Sequence, residues 1–195
     1  MVIRNWKKEL FTIPNLFSAF RLLLIPVYMY IYLNASKPTH YYVAAAILAV
    51  SCLTDMIDGK IARKFNMIST FGKFLDPLAD KATQFTLIVC LAIRYPVLWY
   101  LVGLFFVKEV FQLVAAAVSF RKGKMLNGAL ISGKVCTTIL FVSLILMIMF
   151  PSFSETTVTF IACVDAVFII IAFIDYFLAY YGKNKKIYDF KVEKD

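Results

Sequence analysis

The feature that most constrains this chain is the length of its apolar blocks. Each runs for about 20 residues, the length that crosses the hydrocarbon core of a bilayer, and only short polar turns separate them. Six such blocks can be drawn as helices: Ile13–Leu33, His40–Ala62, Gly72–Arg94, Val97–Phe120, Ser132–Phe150 and Thr156–Tyr181. Lipid offers backbone N–H and C=O groups no outside partner, so a spanning segment must be a helix or part of a closed barrel. Blocks of this length exclude the barrel. The composition agrees: 17% of residues are charged, against about a quarter in soluble domains, and 62% are hydrophobic. The chain is therefore expected to be an all-α integral membrane protein, a six-transmembrane-helix bundle. No linker, low-complexity run or repeat divides it, so residues 1–195 read as a single domain.

The ends fit that plan. Val2, Ile3, Trp6, Leu10 and Phe11 interleave with Arg4, Lys7 and Lys8, the pattern of a short interfacial helix over residues 1–12. A cleaved signal peptide fits poorly, because Arg21 interrupts the first apolar block, the block continues to Leu33, and no small-residue cleavage site follows. Residues 182–195 read as a polar tail. Six spans put both termini on one side, together with the loops around Lys64 and Lys122. Of the 21 Lys and Arg residues, all but Lys37 and Arg94 lie on or toward that side, which makes it cytoplasmic. The net charge of +9 thus reads as topology and attraction to anionic headgroups, not as a nucleic-acid surface. Cys52, Cys90, Cys136 and Cys163 are scattered through apolar blocks without metal-site spacing and are expected to be buried, unpaired and inert.

Four of the eight aspartates lie within 26 residues: Asp55, Asp58, Asp76 and Asp80. They fall at the cytoplasmic end of the second helix and the start of the third. Carboxylates in apolar surroundings must face a polar cavity, pair with cations or bind metal. Asp55 and Asp58 are i,i+3, and Asp76 and Asp80 are i,i+4, so each pair shares a helix face. The hairpin through residues 63–71 brings the faces together. Four clustered carboxylates repel one another unless cations intervene, and hard oxygen ligands favour Mg²⁺ or Mn²⁺. Two such metals are a common device for activating a phosphoryl centre. The alternative is a set of ion pairs with Lys60, Arg63, Lys64, Lys73 and Lys81. That leaves Gly59 and Gly72 unexplained, whereas a nucleotide approaching the backbone closely would account for both. Arg63 is then placed to contact its phosphates.

The full pattern, Asp55-x2-Asp58-Gly59-x2-Ala62-Arg63-x8-Gly72-x3-Asp76-x3-Asp80, resembles the CDP-alcohol phosphotransferase family at every fixed position of its motif. The six-span layout and the Ile13-Pro14-Asn15 opening extend the resemblance along most of the chain. It implies that Asp55, Asp58 and Asp76 ligate a two-metal centre of Mg²⁺ or Mn²⁺. It also implies that Asp80 lies at those metals and serves as the general base. Gly59, Arg63, Gly72 and Ser69 would line the CDP pocket, with Asn15 part of the same lipid-nucleotide site. A homodimer is implied as well. The reaction would be direct displacement on CDP-diacylglycerol by an acceptor alcohol, releasing CMP.

The motif says more about the donor than the acceptor. Lys108 and Glu109, then Arg121, Lys122, Lys124 and Lys134, are expected toward the cytoplasmic side, where an anionic acceptor would want fixed cations. Lys108, Arg121 and Lys134 are the candidates for that site. Ile13-Pro14-Asn15, the stretch Leu75–Lys81 and Gly133-Lys134 resemble the bacterial branch that uses glycerol 3-phosphate. Lys108-Glu109 departs from the Arg-Glu of that branch. Phosphatidylglycerol is the rival acceptor. A cation transporter is the reading from another class, but it would place its carboxylates near the midplane on broken, repeated helices. Asp165 and Asp175 are expected to make structural pairings, and His40 to be interfacial. Tyr41, Tyr42, Tyr95, Trp99, Tyr100, Tyr180 and Tyr181 are expected to form aromatic belts.

Overall fold

A computed structural model describes residues 13–64, 72–121, 124–126, 130–182 and 187–189, with the side chains of residues 13–14, 52–53, 55–64, 72–77, 124–126 and 187–189 outside the description. The interfacial helix expected over residues 1–12 lies outside the described residues. Six long helices are present among the described residues: α1 (Ile13–Leu33), α2 (Pro38–Lys64), α3 (Gly72–Arg94), α4 (Trp99–Arg121), α5 (Ile131–Met149) and α6 (Glu155–Tyr181). A single 3₁₀ turn, Pro96–Leu98, leads into α4. Four stretches among the described residues are long and apolar enough to cross a membrane: Asn15–Leu33, Pro96–Arg121, Ile131–Met149 and Glu155–Tyr181. The chain is thus an all-α membrane protein in its described spans. The two helices that carry the aspartates, α2 and α3, are not among those four.

Local chemistry sets the helix ends. The Asn34 side-chain amide donates to the Tyr30 carbonyl at 2.8 Å, satisfying one of the carbonyls that α1 leaves open at its end. Pro38 opens α2, where a missing N–H costs nothing. Pro26 lies within α1 and removes one backbone bond, which a membrane helix tolerates when neighbours compensate. Ser154 caps α6, its Oγ accepting from the Thr157 N–H at 3.2 Å, with Glu155 in the positive first turn.

The chain forms two compact units, dividing between Cys90 and Leu91, with Ile148–Pro151 grouped with the first. In the first unit α1 packs along α2, and Tyr32 meets Tyr41 edge-on at 5.5 Å. Asn15, Ser18, Arg21, Tyr28 and Tyr32 are buried, while Leu16, Leu23, Val27 and Tyr30 point outward as a lipid-facing surface would. In the second unit α4 packs on α6. Phe111 of α4 meets Phe173 at 4.8 Å and Phe177 at 6.0 Å, beside a core of Ala115, Tyr176 and Tyr180.

Three features depart from expectation. Lys124–Leu126 (β1) and Ile187–Asp189 (β2) pair as a short antiparallel ribbon with Met125 opposite Tyr188, where a loop and a free tail were expected. Three-residue strands carry no usable periodicity, so only the pairing reveals them. Tyr95 and Tyr180 are buried core residues and not members of an exposed belt, whereas Tyr42, Trp99, Tyr100 and Tyr181 are exposed. Cys90 and Cys136 are buried, but Cys163 is exposed on α6.

Candidate active site

The aspartate motif occupies the end of α2 and the start of α3, and the backbone is helical at 55, 58, 59 and 63 and again at 72, 76 and 80. Continuous helix at these positions is what the i,i+3 and i,i+4 spacings need to place each carboxylate pair on one face. The side chains of Asp55, Asp58, Arg63 and Asp76, and the surroundings of Gly59 and Gly72, lie outside the described residues, as does Ser69. Among the described residues no group of three His, Cys, Asp or Glu could hold a metal, and three of the four expected ligands fall outside them. The expected donor set of four carboxylates fits a hard divalent cation.

Asp80 is described, and its setting is specific. Its Oδ1 accepts from Arg21 Nη1, an ion pair joining α3 to α1. The two ends differ sharply: the Arg21 side chain is 3% exposed and that of Asp80 49%. Asn15, the other expected donor-site residue on α1, is buried, as is Ser18 between it and Arg21. Residues 15, 18 and 21 follow one another at helical spacing, so the start of α1 turns a polar stripe inward. Beyond it lies a small cavity of ≈ 20 Å³, bordered by Arg21, Tyr28, Ser51 and Thr83, with room for about one water.

Arg21 is the residue that sequence reasoning passed over. In the sequence it interrupts the first apolar block, and that interruption is the signal. A charge inside a membrane helix needs a partner, and the partner is the last aspartate of the motif.

The expected acceptor residues belong to the second unit. Lys108 is 2% exposed and its Nζ donates to Glu109 Oε1 at 2.7 Å, with the Phe105 ring 6.0 Å away. It is thus a buried, paired lysine and not an open cationic surface. Arg121 ends α4 and Lys134 lies in the first turn of α5; both are exposed. Two neighbouring side chains of α6 secure the start of α5. The Leu130 N–H donates to the Tyr176 hydroxyl at 3.3 Å, and Ser132 Oγ donates to Asp175 Oδ2 at 2.5 Å. A Cβ at Gly133 would meet the Tyr176 hydroxyl oxygen at 2.7 Å, so glycine is what lets α5 lie this close to α6.

Asp165 makes the structural pairing expected of it, with a serine of α5. Ser143 Oγ lies 2.6 Å from Asp165 Oδ2, and both residues are buried. The other carboxylate oxygen, Oδ1, has no hydrogen-bond partner among the described residues. Ser143→Ala should therefore be costly, about 1–3 kcal/mol for leaving a buried polar group unmatched. The expected result is a thermal unfolding midpoint several degrees lower in detergent. Asp165→Leu added to Ser143→Ala should recover part of that loss, since removing both polar partners is cheaper than removing one. An unchanged midpoint in Ser143→Ala would mean the contact contributes nothing.

Comparison with known proteins places this architecture. The model of the CDP-alcohol phosphatidyltransferase family matches residues 11–177, well over half the chain. A Schizosaccharomyces pombe protein, the cardiolipin synthase (CMP-forming) / mitochondrial hydrolase fusion protein, is 37% identical over 63% of this chain and 20% of its own length. The CDP-diacylglycerol–glycerol-3-phosphate 3-phosphatidyltransferase of Bacillus subtilis is 39% identical over 37% of this chain and 43% of its own. The cardiolipin synthase (CMP-forming) of Streptomyces coelicolor is 33% identical over 57% of this chain and 53% of its own. The chain thus spans about half or less of the length of these relatives. A family match that runs through α1 to α6, with every fixed residue of the aspartate pattern in place on two helices, leads to one conclusion: the chain belongs to the CDP-alcohol phosphatidyltransferase family.

Proposed function

We propose that this protein transfers a phosphatidyl group from CDP-diacylglycerol to glycerol 3-phosphate, giving phosphatidylglycerophosphate and CMP. The observation that carries the reading is the complete eight-position pattern on α2 and α3 within a family match over residues 11–177. The similarity to the Bacillus subtilis phosphatidyltransferase favours glycerol 3-phosphate. The similarity to two cardiolipin synthases favours phosphatidylglycerol as the alternative acceptor.

In this reading Asp80 accepts the proton of the acceptor hydroxyl as its oxygen attacks the β-phosphorus of CDP-diacylglycerol. The new P–O bond forms as the bond to the CMP oxygen breaks, and CMP departs with that electron pair. Asn15, Gly59, Arg63, Ser69 and Gly72 hold the nucleotide end of the donor, with Arg63 on its phosphates. Asp55, Asp58, Asp76 and Asp80 would hold Mg²⁺ or Mn²⁺, in keeping with a family that generally depends on divalent metals. Bound there, the cations would neutralise charge developing on the phosphoryl group and on the departing CMP. Positioning and charge neutralisation are most of what phosphoryl transfer asks of a protein. Lys134 and Arg121, both exposed, are the proposed cations for an anionic acceptor, whereas Lys108 is buried and paired with Glu109.

The same reading completes the topology. It has α2 and α3 as the second and third of six spans, both termini and the active site on the cytoplasmic face of the cell membrane, and a homodimer of one-domain chains. A family match extending through both compact units supports the single domain. The test is CMP release by purified protein given CDP-diacylglycerol and Mn²⁺ with each acceptor in turn, with identification of the lipid product. Glycerol 3-phosphate should be consumed and phosphatidylglycerophosphate formed. Consumption of phosphatidylglycerol alone would transfer the assignment to cardiolipin synthesis.

A further inference from the structure

We infer that Arg21 is a positioning residue for Asp80, holding that carboxylate in the orientation proton transfer needs. The inference rests on the assignment of Asp80 as general base and adds a residue outside the aspartate motif. Three observations carry it. Arg21 is the ninth residue of the 21-residue helix α1, within a span apolar enough to cross a membrane. An arginine that only marked topology would lie at a helix end with its head in water.

The second observation is the asymmetry of the pair. Two charges that merely neutralise each other inside a protein are sequestered together. Here the guanidinium is 3% exposed, whereas the carboxylate is 49% exposed. Burial fixes the arginine, and the arginine in turn fixes one oxygen of a half-open carboxylate. The third is the link itself. Nη1 reaches Asp80 Oδ1 from a different helix, so the carboxylate is tied to α1 as well as to its own helix α3. The planar guanidinium suits the task because its donors are fixed in one plane, a property lysine lacks.

The test compares Arg21→Lys, Arg21→Met, Asp80→Asn and the double variant Arg21→Met/Asp80→Asn. For each, kcat and both KM values are taken from CMP release, CDP binding is measured in the presence of Mn²⁺, and folding is followed by elution profile and thermal unfolding. Arg21→Lys should lower kcat about ten- to a hundredfold, the scale at which a small misplacement of a reacting group acts. Both KM values and CDP binding should stay within about threefold. Arg21→Met should lose more, yet adding it to Asp80→Asn should cost little further, because no base is left to position. A full multiplicative loss in the double variant would overturn the proposal, as would loss of CDP binding in step with turnover in Arg21→Lys. Wild-type kcat in Arg21→Lys alongside an inactive Asp80→Asn would remove this proposal alone. Asp80→Asn turning over at half the wild-type rate or more would remove the base assignment first, and this inference with it.

Discussion

Alanine at Asp55, Asp58 or Asp76 is expected to reduce CMP release about a thousandfold or more. In the proposed function several kcal/mol of transition-state charge stabilisation would come from a divalent centre, and each 1.36 kcal/mol is tenfold in rate. As proposed ligands the three side chains would not be interchangeable supports, because a centre missing a ligand would no longer hold cations in place. EDTA should abolish wild-type activity for the same reason, with Mg²⁺ or Mn²⁺ restoring it. The competing account has the four carboxylates paired with Lys60, Arg63, Lys64, Lys73 and Lys81. It foresees graded losses that differ from site to site, and indifference to chelation. Full turnover in a chelated sample would decide for that account.

Asp80→Asn should have the second large effect, a fall in turnover of about 10²–10⁴, the usual contribution of a positioned acid or base. The amide keeps the shape and a carbonyl oxygen but cannot take a proton. Donor binding should therefore survive better than turnover, with a modest loss of affinity because Asp80 is also proposed to lie at the metals. Equilibrium binding of CDP set beside kcat measures that split. A variant retaining half the wild-type turnover would mean that the proton goes elsewhere.

Much of the fold could be read from the chain because membrane segments are specified locally. Long apolar blocks have one workable backbone solution in lipid, and the expected segments Ile13–Leu33 and Gly72–Arg94 coincide with α1 and α3. The aspartate pattern was equally legible, since helical spacing alone puts its members on shared faces. Asp165 and Asp175 could be flagged too, as carboxylates within an apolar helix and in need of partners. Their identities could not: the partners are Ser143 and Ser132, on another helix and far away in sequence.

That limit has a physical cause. A soluble helix announces its inner face by an apolar stripe, but a helix in lipid is apolar on both sides. Nothing local therefore distinguishes Tyr95 and Tyr180, which are buried, from Tyr100 and Tyr181, which are exposed, or Cys136 from Cys163. Nor does a three-residue strand disclose a partner as remote as that of β1. From its sequence alone, this protein was bound to be a helical membrane protein with a carboxylate-rich motif on two consecutive helices. Only tertiary structure could decide that the lone arginine of α1 meets the last aspartate of that motif. Two residues 59 positions apart become neighbours through an ion pair that joins α1 to α3, which no local pattern encodes.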